Sequence, residues 1–242
     1  MTAPLATVLV VDDEPELLEI FEAWLERAGY RVLTAPNGAE ALAILTTQKI
    51  DALVSDIRMP IMDGPSLVRA MHNAGITTPT IVFVSGFGDI NLREMHALGV
   101  ETTLEKPVNR KTLIAVVEDS LTGREKLWLT PLPIPCRRRV EAEILQSTIS
   151  GPHFDLGRGG CCFASTESLA RHETIQLTLR FSDPPRRLNA QGEVRWYDPG
   201  SRYAGVAFRY LDPDCRSWII SAIETANPRS FIPSGLTPPP AT

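Results

Sequence analysis

The stretch Thr7–Pro15, TVLVVDDEP, decides the first fold, because an uncharged β-type run stops abruptly on Asp12, Asp13 and Glu14. A short Val-rich run without polar alternation reads as a strand buried on both faces. Runs of the same kind follow at Arg31–Ala35, Ala52–Asp56, Thr80–Ser85 and Glu101–Leu104. Between and after them, apolar residues recur at helical spacing: Leu17, Leu18, Phe21, Leu25 and Ala28, then Ala41, Leu42 and Leu45, then Leu67, Val68 and Met71. Leu92, Met95 and Leu98 continue the pattern, and Leu113, Val116, Val117 and Leu121 end it. Strands alternating with helices predict an α/β doubly wound, five-stranded parallel sheet covered on both sides by helices, over residues 1–122.

From about Pro131 the period changes to two. Val140, Ala142 and Ile144 alternate with Glu141, Glu143 and Leu145, and Ile175, Leu177, Leu179 and Phe181 alternate with Thr174, Gln176, Thr178 and Arg180. Turn signals at Gly151-Pro152, Asp183-Pro184-Pro185, Asp198-Pro199-Gly200 and Asp212-Pro213-Asp214 separate the runs. The pattern predicts a small antiparallel β-barrel over residues 136–227, closed by a helix near Cys215–Thr225. Residues 123–135, with proline at every second position from Pro131, are expected to form a stiff linker, and 228–242 a disordered tail.

The 242 residues are 43% apolar and 22% charged, which suits folded domains and excludes disordered or fibrous chains. No apolar run is long enough for a membrane span and no signal-peptide pattern opens the chain, so a cytoplasmic location is expected. The four cysteines form no CxxC pair and read as reduced, small apolar residues. Residues 1–124 hold 10 basic against 17 acidic side chains, and residues 125–242 hold 14 against 12. That slight basic excess argues against duplex DNA as a ligand.

The polar residues of the first half fall at the carboxyl ends of the strands, where open parallel sheets bind ligands: Asp12 and Asp13, Asp56, Ser85 and Lys106. Carboxylates brought together repel, so a cation must neutralise them, and oxygen-only ligands suggest Mg2+. A metal beside them lets one Asp attack a phosphoryl group, with Lys106 and Ser85 available to hold the added charge.

Val10-Val11-Asp12-Asp13-Glu14-Pro15, SDIRMPIMDG at 55–64, Ser85 and EKP at 105–107 resemble the receiver domain of two-component response regulators, a flavodoxin-like fold with strand order 2-1-3-4-5. The resemblance implies that Asp56 accepts phosphate from a sensor histidine kinase. It also implies that Asp12, Asp13, Asp56 and the Arg58 carbonyl serve Mg2+, Asp12 through water, and that Ser85 and Lys106 hold phosphoryl oxygens. The family usually carries Tyr or Phe three residues before the lysine; here that position is Thr103, so Gly86-Phe87-Gly88 is the alternative mobile element. A phosphatase built on a similar aspartate would place a second Asp two residues later, where this chain has Arg58; a non-enzymatic protein is expected.

CRRRVEAEI (136–144), FDLGRGGCCF (154–163), AQGEVRWY (190–197) and YAGVAF (203–208) are similar to the PilZ domain. That family binds cyclic di-GMP through an RxxxR motif and a DxSxxG loop, which points to Arg137, Arg138, Arg139, Asp155, Gly157 and Gly160. Pro135 stands at the first arginine position and Gly157 at the serine position. Two outputs follow: a module that still senses cyclic di-GMP, or a nucleotide-free module acting on a downstream protein partner.

Overall fold

The computed structural model describes residues 5–77, 79–86, 91–122, 126, 128–133, 136, 138–144, 150–151, 153–182 and 185–234. It divides into two compact units, residues 1–90 with 100–122, and residues 91–99 with 123–242. Arg137, Pro135, Phe87-Gly88, Pro152, Asp183-Pro184, parts of the linker and the end of the tail lie outside the described residues.

In the first unit, β1 (Thr7–Val11), β2 (Arg31–Ala35), β3 (Ala52–Asp56), β4 (Thr80–Ser85) and β5 (Thr102–Glu105) form a parallel sheet in the order β2-β1-β3-β4-β5. One face carries Val8, Val10, Val54, Val82 and Val84 into a core with Phe21 and Leu25 of α1 (Pro15–Arg27) and Leu113 and Val117 of α5 (Arg110–Leu121). The other buries Leu9, Leu53, Ile81 and Phe83, with α2 (Gly38–Thr47) packed on α3 (Gly64–Asn73). Asn37, Asp63 and Asn109 cap α2, α3 and α5 by accepting free amides of the first turn. The sheet stops where the apolar runs stop, which leaves Asp12, Asp56, Ser85 and Lys106 at one edge.

The second unit is a curled half-barrel of mixed strands. β6 (Arg138–Ile144), β7 (Ser150–Gly151), β8 (Phe154–Leu156), β9 (Gly160–Ala164), β10 (Thr174–Ser182), β11 (Pro185–Asp198) and β12 (Tyr203–Leu211) lie in the order β6-β10-β11-β12-β9-β8-β7. One pairing departs from the expected antiparallel barrel: β6 runs parallel to β10, with Arg139 opposite Gln176 and Glu141 opposite Thr178. The long excursion through β7–β9 between those two strands makes a parallel return feasible. Inward residues Val140, Ile144, Ile175, Leu177, Leu179, Leu188 and Val206 meet Cys215 and Ile219 of α6 (Pro213–Ala226).

Two sequence expectations are corrected here. The linker is not a free strut throughout: Trp128 is 1% exposed, donates Nε1–H to the Phe208 carbonyl at 3.1 Å and meets the Phe208 ring edge-on. Nor is the tail disordered from 228, because Phe231 and Ile232 are buried against Cys162, Trp196 and Ala207. In both places a large apolar side chain within a proline-rich context gains more by burial than the chain loses by ordering. The helix α4 (Leu92–Leu98) belongs by contact to the second unit, where Arg93 pairs with Asp198 at 2.7 Å and lies over the Trp196 ring. No helix among the described residues is long and apolar enough to cross a membrane.

Candidate functional site

The carboxyl edge of the first sheet gathers charge in a small space. Asp12 follows β1 and is 1% exposed, and Asp56 ends β3 at 6%. Between them sits the Lys106 ammonium, with Nζ 3.0 Å from Asp12 Oδ2, 2.9 Å from Asp56 Oδ1 and 3.1 Å from Glu14 Oε1. The backbone supplies further donors. Glu14 N–H donates to Asp12 Oδ1 at 3.0 Å, and Arg58 N–H to Asp56 Oδ2 at 2.7 Å.

Burial raises the Asp12 carboxyl above its ordinary range, and the nearby Asp56 charge adds to this, while the Glu14 amide and the Lys106 ammonium pull it down. Burial alone would lower the Lys106 pKa, yet the surrounding carboxylates of Asp56, Asp12 and Glu14 outweigh it and raise it, so the ammonium stays charged. Asp12 Oδ2 has that ammonium beside it but no hydrogen bond aligned on it. A buried carboxylate oxygen in that condition suits a hard divalent cation, so the acidic pair fits Mg2+. Two of the three expected carboxylates meet; Asp13 is exposed, and no cage of three or more His, Cys, Asp or Glu forms among the described residues.

Ser85 closes β4 at 6% exposure and donates its hydroxyl to the Gly86 carbonyl at 2.8 Å. β5 places Thr103 opposite Phe83. Sequence reading missed one positioning residue: a Cβ on Gly64 would stand 2.6 Å from the Asp56 carbonyl oxygen and 3.1 Å from the Phe83 ring. Gly64 N–H donates to the Ile57 carbonyl at 3.0 Å, so α3 starts directly beside the Asp56 turn. The signal was in view, since Gly64 ends the quoted run 55–64.

Of the residues singled out in the second half, Arg138, Arg139, Asp155, Gly157 and Gly160 are described. Arg138 is engaged with Glu173, Glu167 and the Ser168 carbonyl. With Arg139 it lines a groove of about 550 Å³ that does not include Asp155, Gly157 or Gly160. Asp155 is buried on β8, and Gly160 is on β9, where a Cβ would meet the Val206 carbonyl at 2.0 Å.

The loop between β8 and β9 is covered by the strap 230–233. Arg158 N–H donates to the Ser230 carbonyl and Gly159 N–H to the Phe231 carbonyl, both at 2.9 Å. A Cβ on Gly159 would fall 1.9 Å from the Phe231 ring, and one on Gly157 2.5 Å from the Phe231 carbonyl oxygen. Glycine at 157, where the resemblance expects serine, is therefore what the strap requires. The thiols of Cys161, Cys162 and Cys215 are free and buried, and burial raises all three above the ordinary thiol range.

A five-stranded sheet in this order, with acids and a lysine at its carboxyl edge, is matched over residues 8–118 by the model of the response regulator receiver domain, and residues 123–224 by that of the PilZ domain. The chain therefore carries a response regulator receiver domain followed by a PilZ domain. It is similar to the transcriptional regulatory protein GlrR of Escherichia coli, 34% identical over 154 residues, which are 60% of this chain and 35% of that protein. The response regulator GtcR of Aneurinibacillus migulanus is 30% identical over 115 residues, 48% of this chain and 47% of that protein. Among solved structures, the chemotaxis response regulator CheY4 of Vibrio cholerae is 32% identical, with a TM-score of 0.45, covering 48% of this chain and 98% of that one. The chain thus spans about half the length, or less, of these curated relatives.

Proposed function

We propose that the first unit is a phosphoryl-accepting switch in which Asp56 takes phosphate from a sensor histidine kinase. The observation that carries the reading is the Lys106 ammonium within 3.0 Å of both Asp12 and Asp56. In the reaction an Asp56 carboxylate oxygen attacks phosphorus, the P–N bond of the donor phosphohistidine breaks, and the imidazole leaves with the bonding electron pair, taking up a proton from solvent. The product is a mixed carboxylic–phosphoric anhydride.

Mg2+, when bound, offsets the charge of the incoming phosphoryl group. Asp12 and Asp56 would hold it, with Asp13 and the Arg58 carbonyl adjacent. Lys106 then turns toward the new phosphoryl oxygens, and the Ser85 hydroxyl leaves the Gly86 carbonyl and donates to another. The test is labelling of the full chain by acetyl phosphate with Mg2+ or with EDTA. Wild type is expected to label only with Mg2+, and Asp56→Asn not at all; equal labelling of Asp56→Asn overturns the assignment.

For the second unit, the strap favours an output that works through a protein partner and takes no cyclic di-GMP at the Gly157–Gly160 loop. Phe231 fills the space over Gly159 that a loop-bound guanine or phosphate would need. The output is non-catalytic, does not engage DNA, and operates in the cytoplasm. Calorimetry with cyclic di-GMP tests this: no heat is expected from the full chain, and micromolar binding that Asp155→Ala removes contradicts it.

A further inference from the structure

The outer face of β6, β10 and β11 forms a polar grid that, Arg139 apart, holds none of the site residues singled out in the sequence. Alternation sends Val140, Leu177 and Leu188 into the core and leaves Arg139, Gln176, Thr178, Arg180, Arg187 and Asn189 on the opposite face. These residues line the groove of about 550 Å³, a volume within the range of small-molecule sites. Among the described residues no aromatic or aliphatic side chain lines it, so an acyl chain has no surface to rest on.

The charges are arranged unevenly. Arg180 pairs with Glu141 at 2.8 Å, but Arg139 and Arg187 make no ion pair or hydrogen bond among the described residues. Arg180 and Arg187 are directly opposed in the ladder, like charges that repel unless an anion stands between them. Arg139 lies opposite Gln176, four residues along β10 from Arg180. The two unpaired guanidinium groups therefore start from opposite corners of the grid, about 13 Å apart along the strands and about 10 Å across them. Between the corners stand Thr178 and Asn189, joined by a 3.2 Å hydrogen bond, with Asp212 on the wall as an acceptor.

We infer that this groove binds a small molecule carrying two phosphate groups on a hydroxylated spacer, the chemistry of a sugar bisphosphate. Guanidinium forks at each end take the phosphates, and the amide, hydroxyl and carboxylate between them take the spacer hydroxyls. The site is independent of the Gly157–Gly160 loop and of Asp56, so it stands or falls apart from the reading of either.

Calorimetry on the full chain with fructose 1,6-bisphosphate tests the inference, with orthophosphate and hexaglutamate as comparators. Binding at least tenfold tighter than orthophosphate is expected, weakened tenfold or more by Arg139→Gln with Arg187→Gln. Thr178→Val, which leaves every charge in place, is expected to weaken it about threefold. Both arginines are exposed, so an unchanged melting temperature is expected for the double variant. No binding at millimolar bisphosphate, binding unaffected by the double substitution, or equal binding of hexaglutamate overturns the proposal.

Discussion

The carboxyl edge of the first sheet and the Gly-rich loop of the second unit are both motif sites: the first draws Asp12, Asp56 and Lys106 together, while the groove that Arg138 and Arg139 line does not include Asp155, Gly157 or Gly160. Asp12, Asp56 and Lys106 come from three different strand ends and meet within 3.0 Å. Topology does this: parallel strands that stop at one level deliver their last residues to one edge, whatever the loops do next. In the second unit, Arg139 sits on a strand face, while Asp155 and Gly160 belong to strands at the other end of the sheet order. No strand-end rule gathers them, and the strap 230–233 takes the loop instead. A motif is a dependable guide to a site where the fold itself forces its members together.

Breaking the first site should have the largest effect. Lys106→Met removes the cation that both buried carboxylates face, and labelling by acetyl phosphate is expected to slow by about a hundredfold or more. Quantifying phosphoprotein over time checks this, and a rate within threefold of wild type would show that the ammonium is dispensable. Next comes the strap. Phe231→Ala vacates the space over Gly159 and is expected to cost the second unit about 3 kcal/mol in urea unfolding. A loss under about 0.5 kcal/mol would mean that the strap does not pack in solution.

Gly157→Ser sharpens the comparison, because it restores the family's residue where the strap leaves no room. A destabilisation of about 1–3 kcal/mol is expected, relieved in the Phe231→Ala background; additive losses would separate the two positions.

The smallest effect is in pH. Burial would raise the Glu193 carboxyl, but Arg195, Arg209 and His172 outweigh it and hold it at about 2, against an ordinary 4.5. A carboxyl depressed in the folded state contributes stability that is full above pH 4.5 and is lost as pH falls toward 2. Glu193→Gln should flatten that part of a melting-temperature profile, and an unchanged slope would count against the network.

How much of this could be read in the sequence differs between the two regions for the same reason. Val-rich runs placed Thr7–Val11, Arg31–Ala35, Ala52–Asp56 and Thr80–Ser85 at the bounds that the structure has, because strands of a covered parallel sheet leave a mostly apolar record without alternation. The fifth strand begins at Thr102, one residue past the expected start, with the buried Glu101 left to the turn. The parallel pairing of β6 with β10 left no such record, since alternation reports which face is buried and says nothing about which neighbour runs alongside. Trp128 and Phe231 were hidden by composition: the prolines that follow Trp128 and flank Phe231 suggested extended or disordered chain, and one large ring in each segment decided otherwise. Gly157 looked like a lost serine until the Phe231 carbonyl explained it.

The central claim is that a carboxylate at the end of β3 is the one that becomes phosphorylated. Borohydride reduction of the acetyl phosphate-treated full chain converts an aspartyl phosphate to homoserine, and peptide mass spectrometry then locates the changed residue. The account expects homoserine at position 56 alone, and only when Mg2+ is present during labelling. Homoserine at Asp12 or Asp13 instead, or modification of Asp56 that is indifferent to EDTA, would contradict it.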